Sequence, residues 1–145
     1  MRIVCVFLSA GLLTVAAVTG PVWAQEQKTT MRADMSADQE VPQPGPEGAS
    51  GTATVTTEGP DRLCYTATTE NLDEPVVAAH IHDGPKGEPG PVFIDLEWAT
   101  NGNEGCVTTE ASKIEAVVAD PAGYYVNLHT PSHRDGAVRG QLMRV

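Results

Sequence analysis

The four histidines of this chain are its best candidates for chemistry near neutral pH, and all fall in two short segments. His80 and His82 stand in Ala79-His80-Ile81-His82-Asp83-Gly84, and His129 and His133 in Asn127-Leu128-His129-Thr130-Pro131-Ser132-His133. On a strand, positions i and i+2 project to one face with Cα atoms about 6.5–7 Å apart. Two imidazoles can close that span around a single ion. His80 and His82 therefore read as a bidentate half-site. If the strand carrying His129 runs beside theirs, a third nitrogen joins them, a set suited to copper(II) or zinc. His133, in the following turn, is then a fourth ligand or a rim group. Asp83 and Asn127 are candidates to orient the ligand rings from behind. The plainer alternative is that the rings hydrogen-bond to Asn127, Asp83 or main-chain carbonyls and need no ion.

Such a set needs strands to hold it. Segments 27–37 and 49–57 alternate small or apolar with polar side chains, as strands with one wet face do. Gly59-Pro60-Asp61 is a turn signal before a third strand over 62–69, where Leu63, Tyr65 and Ala67 share one face and Cys64 points to the other. Further strands are predicted over 76–82, 90–98, 106–109, 123–130 and 137–145. Ile114, Val117 and Val118 at helical spacing predict one short helix over 112–119, stopped by Pro121-Ala122-Gly123. About eight short strands with turn signals between them predict an all-β fold, a Greek-key sandwich or flattened barrel with one short helix. Gly84, Gly87 and Gly90 mimic a collagen triplet, but three glycines cannot sustain a triple helix, so an ordered surface loop is expected there.

With 145 residues the chain suits one domain, and its net charge of −10 argues against nucleic acid or anionic lipid as a partner. The N-terminus carries an export pattern: Arg2, an apolar run from Ile3 to Val18, and Val22-Trp23-Ala24 ending in a small residue. Cleavage after Ala24 is expected, giving a signal peptide over 1–24 and a domain over 25–145. The apolar run is shorter than a bilayer span, so no membrane anchor is expected in the mature form. Loss of Arg2 takes the net charge from −10 to −11. A periplasmic or secreted monomer is the expected product.

Cys5 leaves with the signal, so Cys64 and Cys106 form an even pair in an oxidising compartment and are predicted to be joined. The bond would close a loop of about 43 residues and stabilise the fold by roughly 3–4 kcal/mol in the chain-entropy account.

Four ordered blocks span the mature chain: Gln39-Glu40-Val41-Pro42; Ala79 to Gly84 with Gly87 and Gly90-Pro91-Val92; Gly123-Tyr124-Tyr125-Val126-Asn127-Leu128-His129-Thr130; and Gly136-Ala137-Val138-Arg139-Gly140-Gln141-Leu142. Together they resemble the CHRD domain, a module named from chordin and widespread in secreted bacterial proteins. The resemblance implies an immunoglobulin-like or superoxide-dismutase-like sandwich, and it marks Gln39, Glu40, Pro42, His80, His82, Asn127, His129, Arg139, Gly140 and Gln141. His133 stands where the family more often has an apolar or aromatic residue, and Ala137 where an acidic one is common. Arg139 on a terminal strand is expected to pair with a carboxylate, with Glu40 the natural candidate.

Enzyme signatures are missing from the sequence. It contains no Gly-x-Ser-x-Gly elbow, no phosphate loop and no Gly-x-Gly-x-x-Gly after a strand. A copper-zinc dismutase site needs six histidines and an aspartate, against four histidines here. A blue-copper site needs a thiolate. The expectation is an exported binding or structural module with a candidate mononuclear copper or zinc site. The alternatives are a metal-dependent redox or hydrolytic enzyme, and an extracellular interaction domain that uses the Asp83 to Pro91 loop without metal.

Overall fold

Alternation in the strands places one row of side chains inside and the other outside. The computed structural model describes residues 28–145, so the predicted signal peptide lies outside the described residues. Its strands are β1 (Thr30–Ser36), β2 (Ser50–Thr57), β3 (Arg62–Glu70), β4 (Ala78–Asp83), β5 (Val92–Asp95), β6 (Glu104–Thr108), β7 (Tyr124–His129) and β8 (Val138–Arg144). They form one antiparallel sheet in the order β5-β4-β7-β8-β1-β2-β3-β6, curled into a nearly closed barrel. Met31, Ala33, Val55, Leu63, Ile81, Val126, Leu128, Val138 and Leu142 fill its interior. The all-β reading with about eight strands holds, in its barrel form. Among the described residues, no helix is long and apolar enough to cross a membrane.

Two details differ from the sequence reading. The fifth strand ends at Asp95, short of the expected Trp98, because the Asp95 carboxylate accepts the Glu97 amide at 2.7 Å and Glu97 takes the left-handed conformation, φ 53°. That turn starts an unexpected short helix, α1 (Trp98–Asn101), which stacks Trp98 on Tyr65 with ring centroids 6.3 Å apart. The expected helix is α2 (Ala111–Ala119), seated by buried Ile114 and Val117. Its Lys113 donates to the Phe93 carbonyl at 3.0 Å, tying the helix to edge strand β5.

Cys64 and Cys106 are direct register partners on β3 and β6, bonded with Cα atoms 3.9 Å apart and 42 residues apart in sequence. The disulfide lies on the outward face, opposite buried Leu63 and Tyr65, and covalently ties the outermost strand β6 to the sheet.

For the histidines the deciding contact is β4 against β7, although 40 residues of chain separate the two strands. Their register pairs Ala78 with His129, His80 with Asn127 and His82 with Tyr125, and β8 then sets Arg139 beside Asn127 and Gln141 beside Tyr125. Because Ile81, Val126, Leu128 and Val138 point inward, all of these polar residues share the outward face.

Candidate metal centre

An outward sheet face is ordinarily wet, yet His82, His129, Asn127 and Arg139 are buried. Three loops cover them: residues 40–46, 84–91 and 131–137. Polar groups buried in this way must be paired, and their partners show how the site is built.

His82 Nδ1 lies 2.9 Å from the Gly90 carbonyl, and His129 Nδ1 lies 2.9 Å from the Arg134 carbonyl. A carbonyl only accepts, so each ring carries its proton on Nδ1 and donates it, leaving a lone pair on Nε2. The Nε2 of His129 is 2.9 Å from His80 Nδ1, so His80 donates across that contact. The Nε2 of His82 is buried and has no hydrogen-bond partner among the described residues. Ring centroids are 4.8 Å apart for His80 and His129, 5.5 Å for His80 and His82, and 5.9 Å for His82 and His129. One donor atom from each ring falls within 4.8 Å of the others.

Burial lowers the pKa of all three rings. For His80, the Asp95 charge works against that shift. For His82, the Gly90 carbonyl does the same. His129 is held down to about 4, by burial first and the proximity of His80 second. Near pH 7 the neutral rings leave the His82 Nε2 lone pair free, while that of His129 accepts the His80 N–H.

Residues of β7 and β8 fix the two carbonyls. Arg139 donates at 2.7 Å to both the Pro85 and Glu88 carbonyls, and its guanidinium lies 3.4 Å over the Tyr125 ring. Gln141 donates to Gly84 and Ala122 at 2.7 and 2.8 Å. These contacts pin the 84–91 loop. The Tyr125 hydroxyl accepts the Gly90 amide at 3.1 Å, and its ring stacks on His82, 4.9 Å between centroids. Gly90 has no alternative, because a Cβ there would overlap the Asp83 carbonyl. The second carbonyl is set by Asn127, which donates to the Asp135 main-chain carbonyl at 3.3 Å and so holds the loop that carries Arg134.

Of the sequence-predicted site residues, the structure brings His80, His82 and His129 together. His133 is not among these converging donors; it sits in the next turn, close to Asp73 and Glu74, with Nδ1 3.4 Å from Thr130 Oγ1. Asp83 bonds to none of the three imidazoles, because the end of β4 turns it to the opposite face. Asn127 acts at one remove, through the loop backbone. The expected Arg139–Glu40 ion pair does not form, since the Arg139 donors go to Pro85 and Glu88. Glu40 instead receives Asn127 Nδ2 at 3.5 Å, while its Oε1 is buried without a partner. Burial pushes this carboxyl up to about 8 despite the Arg139 charge and the Asn127 hydrogen bond. Gln39 donates to the Asp34 carbonyl at 2.9 Å, which anchors the start of the 40–46 loop. Gly140 packs against the Asp34 backbone, where a Cβ would crowd it.

The sequence reading missed the Gly90 and Arg134 carbonyls and the packing of Tyr125. A carbonyl carries no residue-type signal. Tyr125, two residues before Asn127 on the same strand face, was legible by period alone. The trio opens on a cleft of about 350 Å³, with Val41, Pro42, Pro89, Val92, Arg134 and Asp135 on its walls.

A family model for the CHRD domain matches residues 31–142. No curated protein is significantly similar to the chain.

Proposed function

This chain belongs to the CHRD domain family, and we propose from that premise that it is an exported binding module whose His80, His82 and His129 hold one copper or zinc ion. The observation that carries the reading is the buried, unpartnered Nε2 of His82, in a ring whose other nitrogen is committed to the Gly90 carbonyl. A lone pair aimed into a buried site without a donor costs free energy unless something occupies it. An N–H given to a carbonyl is also the usual arrangement behind a ligating imidazole, because it fixes both tautomer and ring orientation. His129 repeats that arrangement through Arg134, and an ion would replace the His80 N–H that its Nε2 accepts in this structure, with a His80 nitrogen as the third ligand. A bound divalent ion would supply a Lewis-acidic centre with a coordination position facing the cleft. Export is supported by the leader pattern over 1–24 and by the Cys64–Cys106 bond, which suits an oxidising compartment.

Elemental analysis after incubation with copper(II) or zinc and exhaustive dialysis tests this. One ion per chain is expected, lost in His82→Ala and His129→Ala and retained in His133→Ala. A parent protein that comes out metal-free refutes the centre.

A further inference from the structure

We propose that the cleft above the three imidazoles binds a small aliphatic carboxylate, with its oxygens on the ion and Arg134 and its carbon tail against the apolar wall. This rests on the metal reading and adds a ligand class to it. All three donors are neutral imidazoles, so the two positive charges of a divalent ion are not compensated by its ligands. Asp135 is at the cleft wall, yet it is not among the donor atoms that lie within 4.8 Å of one another. Arg134 is an exposed residue lining the same cleft, and among the described residues its side chain makes one hydrogen bond, a long contact with the Pro131 carbonyl at 3.4 Å. The two charges of the ion and that of the Arg134 guanidinium outweigh the Asp135 carboxylate on the cleft wall, a balance that favours an anion, and a planar carboxylate suits both cations.

The remaining walls select among anions. Val41, Pro42, Pro89 and Val92 offer no hydrogen-bond donor side chain for a phosphate or sulfate, the Tyr125 hydroxyl is engaged with Gly90, and Val92 on edge strand β5 is half exposed. A cleft of about 350 Å³ admits a tail of a few carbons. Arg134 serves His129 through its main-chain carbonyl, so altering its side chain leaves that ring's support intact.

The test uses copper(II)-loaded protein titrated with acetate, butyrate and butylammonium chloride at constant ionic strength, read by visible absorption and electron paramagnetic resonance. Both carboxylates are expected to perturb the copper spectrum saturably, with butyrate binding about three- to tenfold tighter through its two additional methylenes. Butylammonium should have no effect. Arg134→Gln is expected to weaken carboxylate binding about tenfold, measured on variant protein first shown to hold one copper per chain. A copper spectrum that neither carboxylate moves overturns this inference and leaves the metal centre standing. Equal affinity for acetate and butyrate, or unchanged affinity in Arg134→Gln, overturns the assignment of the walls. A protein that takes up no copper overturns centre and ligand together.

Discussion

Glu40→Gln should reveal how the buried polar face depends on pH. Glu40 is 5% exposed and, among the described residues, makes no ion pair and has one carboxylate oxygen without a partner. Its carboxyl is pushed up to about 8 in the folded protein, against an ordinary value of 4.5. The native state therefore holds the proton more tightly than the unfolded chain does. Stability linked to this group is complete below pH 4.5 and is lost as pH rises toward 8. At about 1.36 kcal/mol per pH unit, the whole interval amounts to about 5 kcal/mol, and local relaxation brings the expected loss to roughly 3–5 kcal/mol. Glutamine keeps the shape without the charge. The variant should match the parent at pH 4 and exceed its unfolding free energy by that amount at pH 9. The histidines titrate in the opposite sense: their lowered values give stability above pH 6.5 that is lost on acidification. They are present in both proteins and cancel in the difference. Urea unfolding at pH 4, 6.5 and 9 measures it. A parent–variant difference that stays constant across this range would refute the reasoning, because Glu40 would then be ionised in the native state.

Arg139→Gln removes two charge-assisted hydrogen bonds and the cation over Tyr125, so a loss of about 2–4 kcal/mol is expected in urea unfolding. It should also weaken copper binding about tenfold by freeing the loop that carries Gly90; unaltered stability and affinity would show that the loop is held by other contacts. Replacing Cys64 and Cys106 together by alanine should cost about 3–4 kcal/mol. Parent protein unfolded without reductant should titrate no thiol from this pair, and two titratable thiols would contradict the bond.

Much of the fold was legible in the sequence because it follows from local rules. Alternating side chains marked the strands, Gly and Pro marked the turns, and an even cysteine pair marked the cross-strand bond that β3 and β6 form. The exception, α1, arose where the Asp95 side chain turned the backbone at Glu97, a competition between side-chain and sheet hydrogen bonding that strand periodicity does not register. For the site, period two already placed His80 beside His82. That His129 joins them was decided by the pairing of β4 with β7, a contact between distant segments. Tertiary structure alone turned His133 away, sent Arg139 to main-chain carbonyls instead of Glu40, and chose the Gly90 and Arg134 oxygens as the groups that set the imidazole protons. Those oxygens belong to the backbone common to every residue, so only the folded path of two loops could bring them to the rings.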